Sequence, residues 1–365
     1  MMMKYRTLGR SGLKVSVLSM GTFTFGGEGM FSAAGNHGVE EARKLVGTCL
    51  DAGINLFDTS NMYSTGRSEE ILAQALGSRR RDVLISSKAR MRIGSGPNDE
   101  GVSRYHLIRE CERSLKRLKT DFIDIYYMHE WDGLTPLEEM LHALDRLISQ
   151  GKIRYIGCSN YTGWQLMKSL GISNSCGYQR FVTQQIHYTL EAREAEYELL
   201  PISVDQGLGV LVWSPLAGGL LTGAHRRGQP TPPGSRQAKG WSEPPIRDEE
   251  RLWNIVDELV AIAQSRGVTP AQVALAWLLD RPAITSLVVG GVTEAHFQDN
   301  ICAVELELTA EENKRLDDMS AIPSLYPYWH QFNFARDRFS EADWALQRNY
   351  MQDSRHVLTP LSRAE

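Results

Sequence analysis

The sequence predicts an α/β fold: a (β/α)8 TIM barrel with an N-terminal β-hairpin, a long loop after the seventh barrel strand and an aromatic-rich C-terminal tail. Short apolar segments alternate with segments of helical periodicity through most of the 365 residues, as in repeated βα units around a parallel sheet. Eight strands and eight helices in strict alternation favour a closed barrel. No G-x-G-x-x-G motif follows the first barrel strand, which argues against an open dinucleotide-binding sheet.

A hairpin signal comes first, at residues 5–16. Two short segments, Tyr5 to Leu8 and Leu13 to Ser16, flank the turn sequence Gly9-Arg10-Ser11-Gly12. We expect this hairpin to close the floor of the barrel, which we place at residues 17–303.

The eight barrel strands are predicted from apolar runs bounded by turn residues. They are Val17 to Met20, Asn55 to Phe57, Val83 to Ser87, Ile123 to Met128, Tyr155 to Cys158, Phe181 to Gln184, Leu208 to Val212 and Ser286 to Val289. Helix starts are indicated by proline after Thr135 and Thr269, and by capping boxes at Thr135 and Thr309. The helix at Thr309 is an extra one that follows the barrel.

Two segments lack the repeating pattern. Residues 224–247 are rich in Gly, Pro and Arg, so we predict a long loop that could fold over a ligand. The extra helix and tail occupy residues 309–365, and the part from Pro323 onward holds too many aromatic residues for a disordered segment. We expect it to pack on the barrel, and the sequence leaves open whether it borders the active site. Hairpin, barrel and tail are predicted to form one domain, residues 1–365.

Composition excludes several functional classes. The net charge is −4 and the longest basic run is Arg79-Arg80-Arg81, so nothing predicts a nucleic-acid partner. No segment approaches the roughly 18 apolar residues of a membrane span, and the amino terminus has no apolar signal-peptide core. The five cysteines form no C-x-x-C pair, so we predict neither a disulfide framework nor a metal site. We expect a cytoplasmic protein with a small-molecule partner; its oligomeric state stays open.

Polar residues cluster where the predicted barrel strands end. Active sites of such barrels lie at the carboxyl ends of the strands. The residues found there are Asp58, Lys88, His129, Ser159, Asn160, Gln185, Trp213, Ser214 and Gly290. Tyr63 follows Asp58 by five residues; because a tyrosine has a pKa of about 10, its use as an acid near neutral pH calls for a nearby cation such as Lys88.

These residues lie in long stretches that resemble the aldo-keto reductases. The matching stretches are residues 53–70, 114–124, 151–160 and 213–223, and the similarity runs from the hairpin to the Tyr326-Pro327-Tyr328-Trp329 segment. The chain looks most like long-tailed bacterial members, and it is also similar to the β-subunits of voltage-gated potassium channels.

The resemblance implies a catalytic tetrad of Asp58, Tyr63, Lys88 and His129. Tyr63 would donate a proton to a carbonyl oxygen and accept it in the reverse reaction. Lys88 would lower the pKa of Tyr63, Asp58 would pair with Lys88, and His129 would hydrogen-bond the substrate oxygen.

The resemblance also implies a nicotinamide dinucleotide bound across the barrel mouth. Ser159, Asn160 and Gln185 would hold the carboxamide, and Trp213 would stack on the nicotinamide. The remaining cofactor contacts carried over are Ser214, Pro215, Leu216, Gly218, Gly219, Arg226, Gly290, Thr293, Asp299 and Asn300.

One departure from the family pattern affects the choice of cofactor. Val292 stands where the family usually has an arginine that contacts the adenosine 2'-phosphate, and His296 replaces a glutamine. Loss of a charge-assisted contact could cost about 1.5–3 kcal/mol, unless Arg226 or Arg227 compensates. NADPH is the first choice and NADH is an alternative.

The leading functional hypothesis is the NAD(P)H-dependent, reversible reduction of an aldehyde or ketone. Two alternatives remain open: a Schiff-base aldolase that uses Lys88, and a non-catalytic, redox-sensing subunit that binds a nicotinamide cofactor. The substrate class is not readable from the sequence. Candidate walls of the substrate pocket are Phe25, Trp131, Tyr326 and Trp329.

Overall fold

The protein forms a closed barrel of eight parallel strands. The structure is a computed structural model and describes residues 2–347. Neighbouring strands pair in chain order and the last pairs with the first, so the predicted fold class is confirmed. The barrel strands are β3 (Leu18–Gly21), β4 (Leu56–Asp58), β5 (Leu84–Ala89), β6 (Ile123–Met128), β7 (Ile153–Ser159), β8 (Thr183–His187), β9 (Gly209–Trp213) and β10 (Ile284–Val289). All eight lie within three residues of their predicted ends.

The predicted hairpin is present and closes the amino-terminal end of the barrel. Strands β1 (Tyr5–Thr7) and β2 (Lys14–Ser16) pair antiparallel. Leu8 and Val15 are fully buried in a cluster with residues from inside the barrel. At Gly9, which has a φ of +57°, an added Cβ would lie 2.5 Å from the carbonyl oxygen of Gly207. Only glycine therefore lets the hairpin turn approach the barrel floor this closely.

Helices surround the barrel. Strands and helices alternate as predicted except at one place, where two helices, α7 (Glu249–Arg266) and α8 (Pro270–Leu279), lie between β9 and β10. Within residues 2–347 the helices are α1 (Val39–Asp51), α2 (Arg67–Leu76), α3 (Arg104–Leu118), α4 (Leu137–Ser149), α5 (Gly163–Cys176), α6 (Leu199–Gln206), α7 (Glu249–Arg266), α8 (Pro270–Leu279), α9 (Glu294–Cys302), α10 (Ala310–Met319), α11 (Tyr328–Phe334) and α12 (Glu341–Gln347). None of them is long and apolar enough to cross a membrane.

Two of the three predicted helix caps are found. Thr269 caps α8, with Pro270 in its first turn, and Thr309 forms a capping box with Glu312 at α10. The box predicted at Thr135 is wrong: the Thr135 hydroxyl donates instead to Asp132 Oδ2 over 2.7 Å, and α4 begins at Leu137 without a side-chain cap.

The loop and the tail lie at different places on the barrel. Residues 224–247 contain a single 3-10 turn, Gln237–Lys239, and several of them line the large cavity at the barrel mouth. The tail packs on the side of the barrel against α6, where Ile322 and Leu346 are buried and the ring of Tyr328 stacks on Tyr197 at 5.5 Å. Residues 348–365 of the predicted tail lie outside the described part of the chain.

Candidate active site

A cavity of about 900 Å3 opens at the carboxyl ends of the barrel strands. This volume is at the upper end for small-molecule sites. Side chains from the ends of several strands line it, together with the loop of residues 224–247 and the segment between β10 and α9. Polar residues from distant parts of the sequence therefore share one space, as predicted.

Lys88 lies at the centre of a buried polar cluster beside the cavity. Its fully buried ammonium donates to Asp58 Oδ2 over 2.5 Å and to the carbonyl oxygen of Thr59 over 2.8 Å. The Tyr63 hydroxyl lies 3.5 Å from Lys88 Nζ. Ser86 donates to the other oxygen of Asp58 over 2.6 Å. The Lys88–Asp58 pair is thus fixed on both sides, and its cation faces the phenol.

The pKa values of the pair Tyr63 and Lys88 both lie above their ordinary values. Burial raises the pKa of Tyr63, and the opposing charge of Lys88 does not fully cancel this effect. Burial is the largest single effect and lowers the pKa of Lys88, but the charges and hydrogen bonds of Asp58 and Tyr63 together outweigh it, so the pKa is raised. Lys88 lowers the pKa of Tyr63, as the sequence predicted, but desolvation is the larger effect and keeps the net pKa above the ordinary value. Both groups are protonated at neutral pH.

His129 follows β6 and presents its ring to the same space. Its ring centroid lies 5.8 Å from that of Tyr63. Burial, and then the charge of Lys88, hold the pKa of His129 well below its ordinary range, so the ring is neutral. Ser60 Oγ accepts from the backbone N–H of Met62 and lies 3.1 Å from His129 Nδ1, so its hydroxyl proton is available to Nδ1. In the tautomer in which Ser60 donates to Nδ1, the imidazole proton resides on Nε2 and can be donated to a ligand; in the other tautomer Nδ1 donates to Ser60.

Ser159, Asn160 and Gln185 line the middle of the cavity. The Asn160 side chain donates to the carbonyl oxygen of His129 over 3.2 Å and accepts from Trp213 Nε1 over 3.0 Å. Gln185 Nε2 donates to Asp58 Oδ1 over 2.9 Å. The side-chain amides of Asn160 and Gln185, predicted to hold a ligand, are therefore oriented by the backbone of His129, by Trp213 and by Asp58 of the buried polar cluster.

The turn after Trp213 forms a concave stretch of backbone. The Trp213 ring packs on His187 with ring centroids 4.4 Å apart and also lines the cavity. Ser214, Ala217 and Gly219 have positive φ values of 47°, 50° and 103°. The backbone N–H groups of Ala217 and Gly219 donate within the turn to the carbonyl oxygens of Ser214 and Leu216, over 2.8 and 2.9 Å. An added Cβ at Gly219 would meet nothing within 4 Å, so a ligand can approach the backbone there.

The far end of the cavity is formed by the segment after β10 and by α9. Gly290, Val292, His296, Asp299 and Asn300 line it. Asn300 Nδ2 donates to the carbonyl oxygen of Gly290 over 3.4 Å, and both oxygens of Asp299 accept from α8 and its cap. Pro215, Leu216 and Gly218 line the wall between this end and Trp213.

Two predicted cofactor residues are placed elsewhere. Thr293 accepts from the backbone N–H of His296 as the cap of α9 and does not line the cavity. Arg226 lies 3.9 Å from Asp257, and Arg227 is bound to Glu250 over 2.6 Å. Neither arginine lines the cavity, so neither compensates for Val292 in this structure.

Arg236 is the loop cation that the sequence reasoning missed. It lines the cavity, its guanidinium lies 5.3 Å from the ring centroid of Phe23, and it forms no salt bridge within the described residues. The loop carries several arginines without periodicity, so the sequence offered no signal to choose among them.

None of the four predicted substrate walls lines the cavity. Phe25 is fully buried against His37, and Trp131 packs between Tyr161 and Trp164. Tyr326 and Trp329 belong to the tail on the side of the barrel. The walls near Tyr63 are instead Phe23, Phe31, Met62, Met91 and Trp241.

One of these walls could have been found from the sequence. Phe23 follows the carboxyl end of β3 by two residues, and its ring packs edge-on against Tyr63 with centroids 5.1 Å apart. Phe31 and Trp241 pack on Phe23 from separate loops, and no local pattern connects them.

Comparison with known proteins agrees with the fold. The sequence profile described as "Aldo/keto reductase family" matches residues 17–321. The chain belongs to the aldo/keto reductase family. The match spans the whole barrel and α10, so it includes every strand that contributes to the cavity.

Similar aldo/keto reductases carry several different names. A "Probable voltage-gated potassium channel subunit beta" of Arabidopsis thaliana is 38% identical over 83% of this chain and 92% of its own length. The "Uncharacterized oxidoreductase YrpG" of Bacillus subtilis is 37% identical over 87% of this chain and 96% of its own length. The "Versiconal hemiacetal acetate reductase" of Aspergillus parasiticus is 31% identical over 89% of this chain and 99% of its own length.

Proposed function

We propose that this chain catalyses the reversible, nicotinamide-dependent reduction of an aldehyde or ketone to an alcohol. The observation that carries the proposal is the buried Lys88–Asp58 pair, whose ammonium lies 3.5 Å from the Tyr63 hydroxyl at the edge of a large cavity. Family membership and the oxidoreductase and reductase names of two relatives support the same reaction class.

Each member of the tetrad has a role that its contacts support. Tyr63 is protonated and donates its proton to the carbonyl oxygen. Lys88 then stabilises the phenolate that remains, and Asp58 holds Lys88 in position. His129 is neutral and donates from Nε2 to the same oxygen, where negative charge develops.

The cavity suits an extended nicotinamide dinucleotide, which when bound would supply the hydride. Ser159, Asn160 and Gln185 offer amide and hydroxyl groups for the carboxamide, and Trp213 offers a flat surface for the ring. The turn after Trp213, where a ligand can approach the backbone at Gly219, would accommodate phosphates. Asn300 lies where the adenine would reach. The proposal that the cavity binds this cofactor is based on the hydrogen-bonding and aromatic side chains that line it.

NADPH remains the proposed cofactor, with NADH as the alternative. The residues lining the far end of the cavity, after β10 and in α9, include no arginine or lysine. We expect Val292→Arg to increase the preference for NADPH over NADH by about tenfold or more, because it restores a charge-assisted contact. Fluorescence titration of both cofactors measures this ratio, and Val292→Met is the uncharged control. An equal change of the NADPH-to-NADH affinity ratio in Val292→Arg and Val292→Met would contradict the proposal that position 292 contacts the 2'-phosphate.

The pKa directions predict the pH dependence of the reaction. Tyr63 and Lys88 both titrate above their ordinary values of about 10, so reduction should be independent of pH from about 6 to 9. Oxidation of the alcohol needs Tyr63 to accept a proton and should become faster with rising pH. Profiles of kcat/KM in both directions check this. A fall in reduction with a pKa near 6 to 7 would instead indicate His129 as the proton donor.

Charge near the substrate end predicts which carbonyl compounds are accepted. Glu130 directly follows His129 and, with Glu243, lines the cavity. Arg236 also lines the cavity, and its charge opposes that of Glu243, so the expected repulsion comes from Glu130. We expect benzaldehyde to be reduced with a higher kcat/KM than 4-carboxybenzaldehyde, because the carboxylate of the second compound is repelled by Glu130. Glu130→Gln should lessen this difference about two- to fivefold, as for a partly exposed charge. Glu138→Gln, an exposed position on α4, is the control and should leave the ratio unchanged.

The contacts of Lys88 argue against one of the two alternative functions, the Schiff-base aldolase. Lys88 is bound to Asp58 and its pKa is raised, whereas a Schiff-base lysine needs a lowered pKa and a free amine. The aldolase is therefore not favoured. A redox-sensing role is suggested only by the potassium-channel names of some relatives. Titration with NADPH, followed by an oxidation screen over a broad panel of carbonyl compounds, separates the two readings: bound cofactor that no compound oxidises would contradict the reductase.

A further inference from the structure

His37 links two loops that line the large cavity. It lies two residues before the start of α1. Its backbone N–H donates to the carbonyl oxygen of Thr24 over 3.1 Å, and its own carbonyl oxygen accepts from the N–H of Gly26 over 3.0 Å. The residue is only 9% exposed, and its ring packs edge-on against Phe25 with centroids 6.3 Å apart. The loop after β3 therefore fixes the position of the ring.

The ring of His37 reaches the loop after β10. Nε2 lies 3.1 Å from the carbonyl oxygen of Val292, and Nδ1 lies 3.0 Å from the hydroxyl oxygen of Thr24. Because a carbonyl oxygen only accepts hydrogen bonds, Nε2 carries a proton and donates it to Val292. In the neutral ring Nδ1 is then the acceptor, and the Thr24 hydroxyl donates to it. Each nitrogen of the ring thus has a partner in a different loop.

Three side-chain hydrogen bonds reach residues 290–292 in the part of the chain that the structure describes, and the His37 contact is the shortest. The other two run from Asn300 Nδ2 to the carbonyl oxygen of Gly290 and from the N–H of Val292 to His296 Nδ1, and both are 3.4 Å long. Val292 is 48% exposed and lines the cavity, so packing holds it only in part. The position of residue 292 therefore depends on the His37 ring.

His37 can affect a ligand only through its neighbours. Thr24 and Val292 line the large cavity, whereas His37 does not. The groups proposed to bind the nicotinamide come from β7, β8 and β9 and from the residues that follow them. Loss of the His37 contact would therefore disturb the far end of the cavity and leave the nicotinamide end in place.

We propose that His37 is a positioning residue for the adenosine half of the cofactor. By holding the peptide group of Val292 against the loop of Thr24, it shapes the far end of the cavity, where the adenosine half would lie. The role rests on the proposed function, in which the nicotinamide stacks on Trp213 and residue 292 meets the 2'-phosphate. His37 itself would touch neither cofactor nor substrate.

Two nicotinamide compounds test the two ends of the cavity separately. They are NADPH and reduced nicotinamide mononucleotide (NMNH), which lacks the adenosine half, and fluorescence titration gives the Kd of each. His37→Asn should raise the Kd of NADPH about fivefold or more, the usual effect of one lost hydrogen bond, and leave the Kd of NMNH unchanged. A general loss of structure would instead weaken the binding of both compounds.

Replacement by glutamine or asparagine distinguishes the two ring nitrogens. Superposed on the imidazole, a glutamine amide reaches the position of Nε2 and can still donate to Val292, whereas an asparagine amide reaches only that of Nδ1, beside Thr24. His37→Gln should therefore keep the Kd of NADPH within about twofold of the wild-type value. His37→Phe keeps a ring against Phe25 but has no N–H to donate, so it should behave like His37→Asn.

His106→Phe is the matched control. His106 is also a buried histidine, with Nδ1 lying 3.0 Å from the carbonyl oxygen of Asn98, and neither residue lines the large cavity. This variant should leave the ratio of the two Kd values unchanged. An unchanged Kd of NADPH in His37→Asn and His37→Phe, or an equal rise for NADPH and NMNH, would overturn the role of His37 and leave the proposed function intact. If the wild type bound no NADPH, the proposed function and the role of His37 would both be wrong.

Discussion

Replacing Tyr63 with phenylalanine is expected to lower kcat for carbonyl reduction by about 10²- to 10⁴-fold, the usual contribution of a general acid. The substitution removes only the hydroxyl and keeps the ring that packs against Phe23 and His129 at centroid distances of 5.1 and 5.8 Å. Cofactor affinity should be unchanged, because the residues proposed to bind the cofactor are left intact. Steady-state kinetics and cofactor fluorescence titration measure the two quantities separately.

A matched control for this variant is Tyr161→Phe. Tyr161 is also a buried tyrosine, but its hydroxyl donates to Met140 Sδ and it does not line the cavity. It should retain the wild-type kcat. Wild-type turnover in Tyr63→Phe would show that another group supplies the proton and that the tetrad is misassigned.

The sequence was most informative where function lies at the ends of strands. Asp58 ends β4, Lys88 lies at the penultimate position of β5, and His129 directly follows β6. An apolar run therefore locates the strand and the strand end locates the polar side chain, because all parallel strands of a barrel present their carboxyl ends to one face. The strand pattern alone does not place Tyr63, because this residue lies in a turn whose course the local sequence pattern does not specify.

The prediction of the substrate-pocket walls was wrong because these walls depend on contacts between distant segments of the chain. Phe23, Phe31 and Trp241 meet around Tyr63 from separate loops, and no periodicity connects them. Tyr326 and Trp329 were candidate walls because they are aromatic residues of a tail expected to pack on the barrel, and the sequence left open whether that tail borders the active site. In the structure the tail is held at its side by α6, through Tyr197 and Leu346.

The same dependence explains the net pKa of Tyr63. From the sequence, proximity to Lys88 predicted a lowering effect, and that effect is present. The rings and loop that cover Tyr63 desolvate the phenolate, and this larger effect raises the net pKa. A charge pair can be predicted from strand ends, whereas burial depends on every segment that covers the site.

Replacing Lys88 with methionine is expected to affect both stability and activity. The change leaves the Asp58 carboxylate buried without its cation, and breaking a buried pair in this way costs about 3–5 kcal/mol in the free energy of unfolding. Because Ser86 and Gln185 still donate to Asp58, we expect the lower end of this range. The kcat for reduction should fall by at least about 10²-fold, as Tyr63 loses the group that stabilises its phenolate. Urea unfolding followed by circular dichroism, and steady-state kinetics, measure these effects.

Two further variants separate the structural role of Lys88 from its chemical role. The double variant Asp58→Asn/Lys88→Met has no unpaired buried charge at this position. Most of the free energy of unfolding lost in Lys88→Met should therefore return, while kcat for reduction stays low. Arg80→Met breaks another buried pair, in which Arg80 donates to Asp124 over 3.0 Å just before β5, at the opposite end of the barrel. It should destabilise the protein by a similar amount and leave kcat unchanged. If kcat fell equally in Arg80→Met and Lys88→Met, lost activity would reflect lost stability alone, and Lys88 would have no chemical role beside Tyr63.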